Sequence, residues 1–211
     1  MKISRGLQDD GVIVGNITDK YGSWNPLIRY IMSGFQNSLT ELLAKASSDT
    51  IHEVGCGEGH WVIKWNLQGI HARGSDFSKK VIELARANAI AKGLSPDLFI
   101  VRNIYDLESE TDSADLIVCV EVLEHLEQPE KALLVLQKIA TDHIVLSVPH
   151  EPIWRFLNML RWKYLGEFGN TPGHIQHWSR NSFVSMVERY FEVVEIRTPL
   201  PWIMILCRAR R

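Results

Sequence analysis

The sequence predicts an α/β protein: a doubly wound, mostly parallel sheet of seven strands with an antiparallel edge strand, set between helices in three αβα layers. Three observations carry this. Strand-like and helix-like segments alternate across short joints from residue 50 to residue 149, the pattern of right-handed strand–helix–strand crossovers. Residues 115–120 and 143–148 are almost continuously apolar, as strands buried on both faces are. Two further strand-like runs, 191–197 and 202–208, close the chain side by side, which suggests an antiparallel addition to the sheet.

The elements follow in order. Residues 1–25 are mixed and glycine-containing, with no clear period. Asn25 and Pro26 make a good helix start, because Asn caps and Pro loses no needed hydrogen bond at the first helical position. Leu27, Ile31, Phe35, Leu39, Leu42 and Leu43 then recur at helical spacing, so 26–46 reads as an amphipathic helix ended by Ser47, Ser48 and Asp49. A strand at 50–54, a helix at 59–67 and a weaker strand at 70–75 ending at Asp76 follow. Ser78 caps the next helix, which Gly93 ends. Strands at 98–101 and 115–120, a helix at 129–140 and a strand at 143–148 stopped by Pro149 complete the alternation. Residues 150–178, rich in aromatics and carrying Arg155, Arg161 and Lys163, read as an inserted cap, partly helical at 152–165. A helix at 181–190 precedes the last two strands.

Composition bounds the class. The chain has 211 residues, 23 Lys+Arg against 25 Asp+Glu for a formal net charge of −2, and 45% hydrophobic residues. That is too apolar and too weakly charged for a disordered chain. No basic excess drives bulk binding to nucleic acid or anionic lipid. One domain is expected, divided into an N-terminal helical segment (1–48), an alternating core (49–149), a cap (150–178) and a C-terminal helix with strands (179–211). Cys56, Cys119 and Cys207 are odd in number, far apart and form no CxxC pair, which fits a reducing cytoplasm. The N-terminal region shows Asp9 and Asp10 but no apolar stretch of a secretion signal. The apolar run at 202–207 is far too short to span a bilayer.

The most informative segment is Glu53-Val54-Gly55-Cys56-Gly57-Glu58-Gly59, between the first core strand and its helix. Glycines there allow a sharp turn and close approach of a ligand. A dinucleotide fingerprint asks for a glycine where His60 stands. Asp76, 17 residues past Gly59 at the end of the next strand, can hold two ribose hydroxyls. Glu53 adds a carboxylate able to orient an amine. An α-amino acid attached to a nucleoside satisfies all of these, whereas a pyrophosphate does not require Glu53.

Together with Cys119-Val120-Glu121-Val122-Leu123-Glu124-His125 at the end of the fourth core strand, these motifs resemble the Rossmann-like class I S-adenosylmethionine-dependent methyltransferases. The resemblance is nearest to the small-molecule branch that includes the ubiquinone and menaquinone biosynthetic enzymes. It implies that Gly55, Cys56 and Gly57 line the methionine moiety, with Gly59 completing the loop. It implies that Asp76 binds the ribose and that Phe77 lies against the adenine. Asn103, followed by Ile104, stands where the family usually has an Asp for the adenine amino group; an Asn carbonyl can accept the same bond. Val120 and Glu121 would sit by the sulfonium.

Glu121, Glu124 and His125 fall on one face if a helical turn begins at Glu121. Two carboxylates and an imidazole there can hold a hard divalent cation such as Mg2+, which lowers the pKa of a bound hydroxyl. Residues 173–179, Gly-His-Ile-Gln-His-Trp-Ser, supply His174 and His177. The arrangement is similar to the Glu-x-x-Glu-His plus distant His of the small-RNA 3′-terminal 2′-O-methyltransferases and to cation-dependent ubiquinone O-methyltransferases. It implies Glu121, Glu124, His125 and His177 as ligands. Without a metal, Glu124 favours a helix N-terminus, and His125 and His177 are the candidate bases. Tyr21 is placed to close over the cofactor or simply to pack on the core.

The expected reaction is methyl transfer to a small-molecule hydroxyl. N- or C-methylation of a small metabolite without metal is the alternative. A small-RNA 2′-O-methyltransferase is disfavoured by the net charge, a NAD-binding oxidoreductase by His60, and a catalytically silent cofactor-binding subunit by the intact loop and Glu121/His125 cluster. Oligomeric state is not legible in the sequence.

Overall fold

The computed structural model describes residues 1–9, 12–16, 20–154 and 174–210. Near the N-terminus β1 (Gln8–Asp9) pairs antiparallel with β2 (Val12–Ile13), where the sequence showed no period. Helix α1 (Pro26–Ala46) starts as expected: the Asn25 side chain accepts from the N–H groups of Leu27 and Ile28, and Ser47 ends the helix in the left-handed region at φ 50°. Its buried face is Met32, Phe35, Leu39, Leu42 and Ala46.

The core then runs β3 (Thr50–Val54), α2 (His60–Leu67), β4 (His71–Asp76), α3 (Lys79–Ile90), β5 (Phe99–Val101), the short α4 (Ser109–Asp112), β6 (Ala114–Val120), α5 (Pro129–Ile139) and β7 (Ala140–Pro149). The chain ends with α6 (Arg180–Val187), β8 (Phe191–Arg197) and β9 (Trp202–Ala209). β7 starts three residues earlier than its apolar pattern predicts. Its second and third residues, Thr141 and Asp142, are exposed, and Thr141 donates to the Ala114 carbonyl at 3.2 Å beside an irregularity in the β6–β7 register. Such local pairing leaves no apolar trace in the sequence.

The seven strands are ordered β5-β4-β3-β6-β7-β9-β8. Every neighbouring pair from β5 to β7 is parallel. β9 runs antiparallel to both β7 and β8, so the reversed strand stands one place in from the edge that β8 forms. Two cores fill the faces. One joins Phe35 and Leu39 of α1 with Trp61 and Trp65 of α2 and Ile82 of α3; the other joins Leu133 and Leu136 of α5 with Phe183 and Val187 of α6.

From β3 the chain winds outward to β4 and β5, then returns to β6 on the other side of β3. Doubly wound sheets bind ligands outside the carboxyl ends of the strands at this reversal. Of the expected cap helix at 152–165 only residues 152–154 are described, and its cations Arg155, Arg161 and Lys163 lie outside the described residues.

Candidate active site

The loop after β3 hangs on the end of β4. The N–H groups of Gly55 and Cys56 both donate to the Ser75 carbonyl, at 2.8 and 3.0 Å. Gly55, Gly57 and Gly59 all take positive φ, at 78°, 53° and 80°, a region that costs a side-chain residue about 1 kcal/mol or more. Gly57 opens onto free space, whereas a Cβ at Gly59 would come within 2.5 Å of the Phe99 ring. One glycine therefore leaves room at the loop's mouth, and the other lets the start of α2 approach β5. The Cys56 side chain packs toward Gly74, and burial pushes its thiol well above the ordinary range. Its backbone is what it contributes to the loop.

Asp76 closes the loop from β4. Its Oδ2 accepts from the Gly57 N–H at 3.1 Å and its Oδ1 from the Ser78 N–H at 3.0 Å, which leaves further lone pairs at the rim. Burial raises its pKa against those bonds. Phe77, the next residue, leaves 47% of its surface exposed. Glu53 is buried, with Oε2 unpartnered. Burial raises its pKa well above the ordinary carboxylate range, against the pull of the Val62 N–H. A sealed carboxylate oxygen without a donor, beside a loop with open space, is a place for a cationic ligand group.

Asn103 caps a short 3-10 turn, its Oδ1 accepting from the Tyr105 N–H at 3.1 Å. Ile104 is buried in the second core. Val120 is buried at the end of β6.

Beyond β6 the backbone departs from the expected helical turn. The Glu121 N–H extends the ladder to the Ser147 carbonyl at 3.1 Å, and Glu121 then takes φ 59°. The 3-10 turn begins only at Leu123 (Leu123–His125). The Glu121 carboxylate is engaged by other groups: it accepts from Ser147 Oγ at 3.2 Å and from Trp202 Nε1 at 2.6 Å.

Glu124 is buried with both carboxylate oxygens unpartnered. Burial, then the nearby charge of Glu121, drives its pKa well up. The N–H groups of Ile175 and Gln176 donate to its carbonyl at 2.9 and 3.1 Å, and this lacing brings His174 over the turn. Among the described residues, Glu124, His125 and His174 form the one group able to hold a metal ion, with ligand atoms within 4.8 Å of one another. The His125 and His174 rings meet edge to face at 4.9 Å. Burial, then the charges of His125 and His177, lower the His174 pKa to about 3, so its ring is neutral. Of the candidate ligands Glu121, Glu124, His125 and His177, the group brought together among the described residues holds Glu124 and His125, with His174 as its third member. His177 is exposed three residues further on.

Tyr21 stacks on His60 at 3.6 Å between centroids, and its hydroxyl accepts from Trp61 Nε1 at 3.1 Å. It thereby covers the start of α2. Glu58, whose sequence position carried no signal of a role, ties the N-terminal segment to the loop. It accepts from the N–H groups of Ser4 and Asn16 at 3.0 and 2.7 Å and from Asn16 Nδ2 at 2.6 Å. Trp202 was equally silent in the sequence, since its bond to Glu121 arises only when distant strands meet.

A glycine loop after the central strand, a rim acid on the next strand and an acid-histidine cluster after the fourth define a class I methyltransferase fold and site. Residues 28–196 match a family profile described as a methyltransferase domain. The chain belongs to that family of S-adenosylmethionine-dependent methyltransferases. It is similar to the ubiquinone biosynthesis O-methyltransferases of Chromobacterium violaceum (31% identical over 91 residues, 43% of this chain and 39% of that one) and Vibrio atlanticus (31% over 98 residues, 45% and 41%). The chain spans about two fifths of the length of these relatives. The fold is that of a magnesium protoporphyrin IX methyltransferase from Synechocystis PCC 6803 solved with bound SAH (TM-score 0.64, 18% identity, 90% of each chain). It is equally that of the methyltransferase domain of a bacterial Hen1 (TM-score 0.63, 18% identity, 84% of this chain and 99% of that one). No described helix is long and apolar enough to cross a membrane.

Proposed function

We propose that the chain transfers a methyl group from S-adenosylmethionine to a hydroxyl of a small-molecule acceptor. The observation that carries this reading is the pair of carboxylates flanking the loop: Glu53, sealed with one oxygen unpartnered, and Asp76 at the rim. Glu53 would meet the donor's ammonium, Asp76 its ribose hydroxyls, and Phe77 its adenine. Gly55, Gly57 and the backbone of Cys56 would line the methionine, with Asn103, Ile104, Val120 and Glu121 around the rest. When bound, S-adenosylmethionine supplies a methyl group activated by a sulfonium.

The protein's part is to align the acceptor and take its proton. Alignment alone supplies up to about 7–11 kcal/mol. His125, exposed at the end of the 3-10 turn, would accept the hydroxyl proton as the new carbon–oxygen bond forms, a base contribution of about 10²–10⁴ in rate. His174, held neutral by burial, is a poor base and a good neighbour for a protonated His125. His177 is the alternative base. The similarity to ubiquinone O-methyltransferases supports oxygen over nitrogen as the acceptor atom.

One observation favours a second reading, in which a cation assists: the unpartnered Glu124 carboxylate beside two imidazoles. Glu124, His125 and His174 would hold the ion, which would lower the pKa of an acceptor hydroxyl. Two nitrogens and one carboxylate suit a borderline ion such as Zn2+ or Fe2+ better than Mg2+, which prefers oxygen ligands.

The test is label transfer from methyl-labelled S-adenosylmethionine to a catechol and to the matching aniline. Transfer to the catechol, lowered about 100-fold in His125→Gln, supports the reading; transfer to the aniline alone overturns it. Loss of activity in EDTA with recovery on adding a divalent ion supports the cation, and full activity in EDTA removes it.

A further inference from the structure

A cavity of about 430 Å³ opens between Lys20–Tyr21 and the first three turns of α1. That volume lies within the range of small-molecule sites, about 300–1,000 Å³. Its described walls include two cations, Lys20 and Arg29, with Tyr21, Tyr30, Met32 and Gln36, and no carboxylate. Neither cation forms an ion pair with a described carboxylate. From residue 20 to residue 40 the chain carries no Asp or Glu at all. The positive field in this cavity is therefore not cancelled from its own walls.

The cavity reaches the start of α2, the helix that follows the glycine loop. Tyr21 forms part of its wall and also stacks on His60 at the start of α2. Burial works against the charge of Lys20, but the fields of Tyr21, Glu121 and Glu124 overcome it and raise its pKa. The molecule thus presents cations in the outer chamber and the carboxylates Glu53, Glu121 and Glu124 within. A molecule with an anionic end would be turned by this gradient: its anion held outward, its other end directed to His125.

We propose that this cavity receives the methyl acceptor and selects one that bears an oxyanion, a carboxylate or a phosphate, on an aromatic or apolar body. Lys20 and Arg29 read the anion, and Tyr21, Tyr30 and Met32 pack the body. The proposal rests on the methyl-transfer reading and names the substrate class of that same site. An anion on the acceptor can form charge-assisted hydrogen bonds to Lys20 and Arg29 that a neutral acceptor cannot.

The test is calorimetric titration of the whole chain with three probes: 3,4-dihydroxybenzoate, phenyl phosphate and the neutral methyl ester of 3,4-dihydroxybenzoate. Each is run with and without S-adenosylhomocysteine. The expected result is that at least one anionic probe binds about tenfold or more tightly than the ester. The two anionic arms tell carboxylate from phosphate. Arg29→Gln, at an exposed position, is expected to remove about tenfold of anion affinity and leave the ester unchanged. Lys138→Gln, exposed on α5, is expected to change neither. Equal binding of ester and anions, unchanged discrimination in Arg29→Gln, or no binding of either anion overturns the proposal. Failure of S-adenosylhomocysteine itself to bind counts against the methyl-transfer reading instead, and the titrations without it still read the chamber's charge preference.

Discussion

Glu58 and Glu124 are both sealed from solvent, at 2% and 1% exposure, and the structure treats their charges in opposite ways. Burial raises the Glu58 pKa, but the N–H groups of Ser4 and Asn16 overcome it and the net shift is downward. Glu124 has no donor on either oxygen, and its pKa rises. A raised carboxylate pKa means that the unfolded chain loses its proton first. Stability from this group is therefore full below the ordinary glutamate value near 4.5 and falls as pH rises through the folded value. Glu124→Gln is accordingly expected to stabilise the ligand-free protein at neutral pH, by about 2–4 °C for each kcal/mol of charge burial removed, while lowering methyl transfer. Thermal unfolding at pH 7 checks it; a lower midpoint than wild type would count against an unpaired buried charge. Groups kept at a cost to stability are common where function needs them.

Among the elements, the N-terminal segment was the least legible. Its attachment consists of single polar contacts: Glu58 to Ser4 and Asn16, the Asn88 side chain to both backbone groups of Lys2, and Ser78 to Asp9 at 2.6 Å. Such contacts join residues as many as 86 positions apart and produce no period for a sequence to display. Glu58→Ala is expected to cost about 2–3 kcal/mol and to free residues 1–9 and 12–16. Hydrogen exchange would show this as lost protection confined to that segment. Because the Glu58 pKa is lowered, its contribution holds above the ordinary glutamate value and is lost as pH falls through the lower folded one. Protection of residues 1–9 and 12–16 that survives both the substitution and acid would refute the anchoring role.

Helices and buried strands were far more legible. Phe35, Leu39 and Leu42 announce the α1 face by spacing, and the Asn25 cap and Pro26 announce its start. The continuous apolar run of β6 announces burial on both faces. The turn after β6 begins at Leu123 and not at Glu121, for a definite reason. The Glu121 N–H keeps pairing with β7, and the backbone escapes through the left-handed region, which a non-glycine residue does not advertise. His174 was harder still. Its place over Glu124 depends on backbone bonds from Ile175 and Gln176 to the Glu124 carbonyl, and backbone bonds carry no side-chain signature.

At the scale of the whole molecule, the glycine loop, Asp76 and the Glu124–His125 turn come from three separate strands, β3, β4 and β6. They meet only because β3 lies between the other two, with the chain reversing direction across the sheet at that point. That reversal is why motifs tens of residues apart in sequence act as one site, and why the sequence could place the donor site better than the acceptor site. The proposed donor site is written in loops fixed to neighbouring strands, whereas the proposed acceptor chamber depends on how Lys20 and Tyr21 meet α1.

Titration of the purified chain with S-adenosylhomocysteine, beside an equal titration with NAD, bears on this arrangement most directly. One binding event per chain is expected, with the unfolding midpoint raised by roughly 5–10 °C at about 100 times Kd. Asp76→Ala should weaken the affinity about tenfold or more without lowering the midpoint of the free protein by a comparable amount. No heat and no shift with S-adenosylhomocysteine, or an equal response to NAD, would contradict a donor site built from Glu53, the glycine loop and Asp76.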